Sequence, residues 1–346
     1  MTRKPGVALA KQDPNQLTAV IIEDDKRIHV TWEVDDGNWQ PDYPFGDPVF
    51  SAPPDIAMDR QNDDQLTAAA GGKNGQLYVA WVEKNGTWHG PDPQGTAGVL
   101  PPNGAPVALG KLRDGQVAAV AIGHDKRMCV AWETEDGWQG PVPFGDAVFS
   151  EGSPVGIARQ SWTNQATALA VGEDGRMWFA LEPAKGSSSW DGPYAFGDNN
   201  TLAVGSGVAV KERNDKKLTA LAVGQDGRMY YTWETDNKTW QKPVVAFGHE
   251  KQFPTNAGVA AENQSPQQLT AVAIGNDGKM YYAWQVGDDP WQGPVALGGA
   301  LFEPGSGIGL AWQNEKQLTA MAMGKDGHLY VAWETNNGPW QGPKRI

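Results

Sequence analysis

Thirteen of the sixteen tryptophans fall on two recurring positions, and the residues around them suggest one kind of chemistry. One set is Trp39, Trp88, Trp138, Trp190, Trp240, Trp291 and Trp340. The other is Trp32, Trp81, Trp132, Trp233, Trp284 and Trp333, with Leu181 at the seventh place. A glutamate follows most members of the second set, as at Glu33, Glu133, Glu182, Glu234 and Glu334, and tyrosines such as Tyr230, Tyr281 and Tyr330 stand close before it. An indole plane beside carboxylates and small polar groups suits a pyranose, whose C–H face stacks on the ring while its hydroxyls take donors and acceptors. The first set follows a polar loop and opens the outermost strand of each unit, so it is the stacking candidate. A rim tryptophan that caps a hydrophobic core is the competing reading.

Catalysis finds no comparable support. A catalytic group should break the repeat, yet the glutamates occupy one equivalent position, whereas acid/base hydrolysis needs two carboxylates in different environments. The histidines, His29, His89, His124, His249 and His328, scatter over four repeat positions with no pair at metal-ligand spacing. There is no Gly-x-Ser-x-Gly elbow, phosphate loop or calcium loop. The Asp-Gly turns lack the flanking residues of a sialidase aspartate box and read as hairpin chemistry alone. The lone Cys129 lies in a strand pattern and can form neither an internal disulfide nor a thiol cluster. The expectation is a protein that is no enzyme, needs no cofactor and no metal, and binds its ligand in the presence of EDTA.

The anchors are spaced 49, 51, 49, 52, 51 and 49 residues apart, so seven units must position these side chains. Each unit reads as four strands, a to d. In the fifth, Gly207–Val210 begins strand a, Lys217–Gly224 is strand b, Arg228–Glu234 is strand c, and Trp240 opens strand d. Asp-Gly or Asn-Gly at the b–c connection predicts a two-residue type I′ hairpin. Side chains grow from Gly, Ala and Val in strand a to Met, Tyr and Trp in strand c, which fits blades crowded at an axis and spread at a rim. The predicted fold is all-β, a seven-bladed β-propeller of four-stranded antiparallel blades. It forms one domain over 1–346, with units near 6–49, 55–98, 104–148, 154–199, 207–248, 258–300 and 307–346. Each blade comes from one contiguous unit, so the ring closes by packing or by a strand shared across the closure. Along strand c, Met229, Tyr231 and Trp233 are expected to be inter-blade core, and Tyr230, Thr232 and Glu234 a semi-exposed face that could line a groove.

Net charge of −13 argues against nucleic acid and anionic membranes as partners. Basic Arg3 and Lys4 precede no apolar segment, and no stretch is long enough to span a bilayer. The expectation is a soluble protein without a signal peptide, made in the cytoplasm, with non-classical release open to it.

The repeated Asp-Gly-Arg-Met-Tyr-Tyr-x-Trp-Glu…Trp-Gln-Gly-Pro unit resembles the bacterial seven-bladed β-propeller lectins of the PLL type, and more distantly the tachylectin and fungal fucose-lectin propellers. The resemblance implies binding of fucose or O-methylated sugars on cell-surface glycans, in pockets between blades, often in a homo-oligomer and without metal. It also implies pockets that combine the strand-d tryptophans with polar residues on the turn entering strand a, such as Ser153, Ser206, Asn256 and Ser306. The fourth unit departs through Leu181 and a lengthened loop from Pro183 to Ser189, and the second through Val82 at the glutamate position. A non-catalytic scaffold gripping a protein partner is the alternative, though the short, similar loops give it little to grip with.

Overall fold

The computed structural model describes residues 6–35, 37–51, 55–62, 64–84, 86–113, 116–146, 148–183, 189–213, 216–236 and 238–346. Most of the lengthened loop of the fourth unit, 184–188, lies outside them. Seven antiparallel sheets follow one another along the chain, over 7–45, 56–94, 107–144, 155–196, 209–247, 259–297 and 308–345, and no helix occurs among the described residues. The sixth blade is typical. Val259–Ser265 is strand a, Gln268–Ile274 strand b, Met280–Val286 strand c and Gln292–Leu297 strand d, paired in that order. In the fifth blade strand d is split into Thr239–Trp240 and Val244–Phe247, both paired with strand c.

Strand b is buried along almost its whole length in every blade, as in Leu218–Val223, because each of its faces meets a neighbouring blade. That explains its near-continuous apolar run where a one-sided sheet would alternate. The cores are therefore inter-blade cores. Leu169, Val171, Met177 and Phe179 of the fourth blade pack on Leu218, Ala220 and Ala222 of the fifth. The chain crosses between blades through loops plugged by the fully buried Phe50, Phe149, Phe253 and Phe302. Phe253 N donates to Gly227 O at 2.9 Å, which ties this crossing to the b–c turn.

The first and last blades share no strand. Val7, Leu9, Ala19 and Ile21 pack directly on Ala311, Met321 and Val331, which closes the ring, among the described residues, by side-chain packing. The approach is tight enough that a Cβ on Gly309 would lie 2.9 Å from Val7 O.

The b–c turn differs from the expected type I′ hairpin. Gly227 has φ +77°, but Asp226 stays right-handed, and Gly227 N donates to Gly224 O while Gly224 N donates to Arg228 O. This is a three-residue loop, a type I turn followed by one left-handed residue. Only one positive φ is required, which is why Lys26 (φ 68°) and Lys126 (φ 65°) can replace the glycine.

Candidate binding clefts between the blades

Strands c and d pair with a register shift just before the strand-c tryptophan, between Tyr282 and Trp284 or between Val331 and Trp333. Beyond the shift the strand-d tryptophan pairs with the glutamate position, as in Glu234 with Trp240 and Glu133 with Trp138. Cross-strand partners share a face, and this face is turned to the preceding blade. The strand-c tryptophan, one residue earlier, points to the following blade. Four of the seven seams therefore receive a strand-c tryptophan from one side, and a glutamate with a strand-d tryptophan from the other; Leu181 replaces the indole at the fourth–fifth seam, and Val82 and Gln285 replace the glutamate at the first–second and fifth–sixth.

The two tryptophan sets differ in burial from what their strand positions suggested. Trp240 is only 9% exposed and stacks on Phe196 of the preceding blade at 5.3 Å. Trp88 on Phe45 and Trp190 on Phe144 repeat the arrangement at 5.3 and 5.5 Å. Trp291 packs against Phe247 and Trp340 against Tyr282. The rim-packing reading holds for these rings, since each is covered by an aromatic side chain from the blade before it. The strand-c tryptophans, assigned to plain core by their alternation with Met229 and Tyr231, are only half-buried, and Trp32 and Trp333 line open clefts.

The glutamate face is not the semi-exposed surface its polarity suggested. Thr232 and Glu234 are 1% and 2% exposed. Gln160 Nε2 of the fourth blade donates to Glu234 Oε2 across the seam. Glu182 accepts from the backbone N–H of Arg113 at 3.0 Å, so it fastens the a–b loop of the third blade, and also from Ala166 N at 2.9 Å. Glu334 is fully buried. Glu182 and Glu234 act as clasps between blades. Burial pushes the Glu234 carboxyl up to about 7, against the N–H groups of Leu218 and Lys238 and the Gln160 amide, which hold it lower. Burial likewise raises Glu334 and the more open Glu133.

Because the folded Glu234 titrates above its ordinary value of 4.5, the folded chain holds a proton between those two pH values that the unfolded chain has released. Stability contributed by this group is therefore present at low pH and is lost as pH rises through about 7. Glu234→Gln keeps the shape and cannot ionise. It is expected to be more stable than the parent by about 2 kcal/mol at pH 8 and nearly equal to it at pH 5. Thermal melts of both proteins at the two pH values check this, and an equal pH response in both would refute the assignment.

Two clefts lie at seams of the ring. Between the seventh and first blades, Trp333, Gln317 and Thr319 face Trp39, Glu33 and Asn38 across a space of about 590 Å³, with Lys344 and Arg345 at its edge. Between the first and second, Trp32, Tyr43, Gln12 and Thr18 face Trp88 and Val82 across about 260 Å³. Both floors carry a device the sequence reading missed. Gln16 Nε2 (3.0 Å) and Thr18 Oγ1 (2.8 Å) donate to Gln12 Oε1, and Gln65 and Thr67 to Gln61, Gln268 and Thr270 to Gln264, and Gln317 to Gln313 do likewise. The signal was present as Gln-x3-Gln-x-Thr in four units. It fixes amide groups beside the strand-c indole.

The remaining candidates lie elsewhere. The hydroxyls of Tyr230, Tyr281 and Tyr330 donate to Asp226, Asp277 and Asp326 of their own b–c turns, at 3.0, 2.8 and 3.0 Å. Ser206 Oγ accepts from Val223 N and donates to Gly207 O, Ser306 donates to Glu303 O, and Ser153 is buried. These turns occupy the b–c end of the blades, whereas the strand-d tryptophans start at the c–d end, a strand length or about 20 Å away. The structure therefore separates the serines from the tryptophans they were expected to join. Asn256, also at the b–c end, lines a surface depression with Asp226 and Asn276. In the first blade His29 replaces the tyrosine. Its Nδ1 lies 2.8 Å from Asp42, with Glu23 and Asp25 beside it. Burial lowers its pKa, but the hydrogen bond to Asp42 and the charges of Glu23 and Asp25 outweigh this and raise it. Glu23, His29 and Asp42 form a group of potential metal ligands where the sequence suggested none, at the opposite end of the blade from the clefts.

No protein-family profile matches the chain, and no curated protein matches it by sequence. Among solved structures it is similar to the BP39L lectin from Burkholderia pseudomallei, at 28% identity and a TM-score of 0.93 over 100% of both chains. The SapL1 lectin in complex with alpha methyl fucoside matches at TM-score 0.57 and 14% identity, over 84% of this chain and 95% of that one. The six-bladed lectin of Aleuria aurantia, described with a novel fucose recognition mode, matches at TM-score 0.55 and 12% identity, over 100% and 96%. The last two likenesses are of fold alone. Among the described residues no helix is long and apolar enough to cross a membrane, which says nothing of strands.

Proposed function

We propose that the protein is a multivalent, non-catalytic carbohydrate-binding protein, a lectin whose inter-blade clefts take fucose or an O-methylated sugar of cell-surface glycans. One observation carries the reading. The cleft between the seventh and first blades sets the half-buried indoles of Trp333 and Trp39 near Glu33, Asn38 and Gln317, an apolar plane with fixed donors and acceptors around it. Seven seams of related construction supply multiplicity, and the full-length similarity to a bacterial lectin supports the same class. Trp39, Trp138, Trp291 and Trp340 are the half-buried strand-d rings, and we place them as secondary walls behind the strand-c indoles. The scaffold reading is not favoured. Homo-oligomer formation would add valency without new contacts at any one site.

A single stacked ring with a few hydrogen bonds gives a dissociation constant on the order of 0.1–1 mM for a monosaccharide. Several such clefts on a rigid ring can bridge neighbouring glycans and gain avidity. Agglutination of cells is therefore expected well below the monosaccharide dissociation constant, abolished by free fucose or a methylated sugar and insensitive to EDTA. Calorimetry should give more than one sugar per chain. A stoichiometry of one, or tight binding to a protein partner that sugars do not displace, would refute the proposal.

A further inference from the structure

Three departures from the repeat meet at one point in the first blade. Every other unit has a glycine where Glu23 stands and a proline where Asp42 stands, as Gly224 and Pro243 in the fifth. Where His29 stands, the others carry Tyr78, Cys129, Trp178, Tyr230, Tyr281 and Tyr330. The glycine and the large ring belong together, because a Cβ on Gly224 would lie 2.3 Å from Tyr230 Cε2. The smaller imidazole lifts that constraint and admits a glutamate. The missing proline puts a second carboxylate on the facing strand.

The three side chains come from the end of strand b, from strand c and from the start of strand d. His29 Nδ1 lies 2.8 Å from Asp42 Oδ2 and 3.6 Å from Glu23 Oε2. Donors on a tetrahedral zinc ion, with bonds of about 2.05 Å, stand about 3.3 Å apart. The two observed distances bracket that spacing. On the other side of the ring, Nε2 is buried and faces Asp25 Oδ1 at 3.1 Å. A carboxylate behind the imidazole is what fixes the tautomer and orientation of a metal-bound histidine. The His29 side chain is only 10% exposed, whereas Glu23 and Asp42 reach solvent at 34% and 46%, so an ion can enter past them. Among the described residues no lysine or arginine ion-pairs with Glu23, Asp25 or Asp42, so three carboxylates surround one imidazole.

We propose that Glu23, His29 and Asp42 bind one zinc-class divalent cation, with Asp25 holding the imidazole from behind. A ring nitrogen beside two carboxylates suits zinc better than calcium or magnesium, whose ligands are oxygens. The ion ties together strands b, c and d of a blade whose strand d, Tyr43–Phe45, has only three residues. The site lies at the b–c end and is independent of sugar binding, so agglutination stays insensitive to EDTA.

Calorimetry of EDTA-stripped protein with zinc chloride tests the site. One Zn²⁺ per chain is expected, with Ca²⁺ and Mg²⁺ silent. The thermal midpoint should rise by about 2–5 °C when zinc is at about a hundredfold excess over its dissociation constant. Co²⁺ should give the visible absorption of a four-coordinate ion. The double substitution Glu23→Gly with His29→Tyr restores the pair of the fifth blade and should abolish both signals. Asp25→Asn keeps the oxygen that accepts from Arg27 N and should weaken zinc binding by about 10–100-fold. Cooperative melting of each variant without metal shows that the ring is intact. If the double variant is unstable, Glu23→Gln, which keeps the shape, decides the case with an expected loss of about tenfold or more. The absence of zinc binding, equally tight calcium binding, or parent affinity for zinc in these variants would overturn the proposal.

Discussion

Alanine at Trp240 is expected to destabilise the protein by about 3–5 kcal/mol without changing the number of sugars bound. The ring is 9% exposed, lies on Phe196 and Phe179 of the preceding blade, and caps a core that includes Leu218 and Ala220. Truncation opens a cavity at a seam where neither blade can collapse inward, because each is held on its other face by the next seam. Denaturant unfolding measures the loss, and fucose calorimetry measures the stoichiometry. A fall in stoichiometry with unchanged stability would return this tryptophan to the stacking role.

The reciprocal result is expected at Trp333. Its indole is half-buried, lines the cleft at the ring closure and has Trp39 opposite. Trp333→Ala should erase that site, reducing affinity there by more than about 30-fold, the equivalent of about 2 kcal/mol of lost stacking and desolvation, while the other clefts retain theirs. Calorimetry would then report a smaller number of sugars per chain with the residual affinity unchanged. Retention of the parent stoichiometry in Trp333→Ala would refute the assignment of the strand-c indoles as sugar platforms.

The architecture could be read from the sequence because its determinants are local and repeated. The spacing of the anchors, the turn residues and the gradation from Ala and Val to Trp are each visible within one unit. The difference in burial between the two tryptophans was not. It depends on the register shift between strands c and d, and on the aromatic partner a different blade brings, such as Phe45 over Trp88. Polarity alone also misplaced Glu234, since a carboxylate in a strand looks exposed until Gln160 of another blade reaches it. The serines were misplaced by distance along the strand. Ser206 and Trp240 belong to the same repeat but to opposite ends of its blade. The Gln-x3-Gln-x-Thr bracket was legible in the letters and was overlooked because its members carry neither charge nor an aromatic ring.

At six of the seven seams the chain runs from strand d of one blade into strand a of the next, and at four of them a buried phenylalanine plugs the connection. The seventh, where Val7 and Leu9 meet Ala311 and Val331, is held, among the described residues, by side-chain packing, and it is also where Trp39 and Trp333 face the 590 Å³ cleft. When the ring is pulled or heated, this gate has no covalent tether to limit its opening, so amide exchange should be fastest along its two banks. A sugar wedged between those indoles would act as a latch pin across the gap. Occupancy of one weak site would then set how often the whole circle springs open.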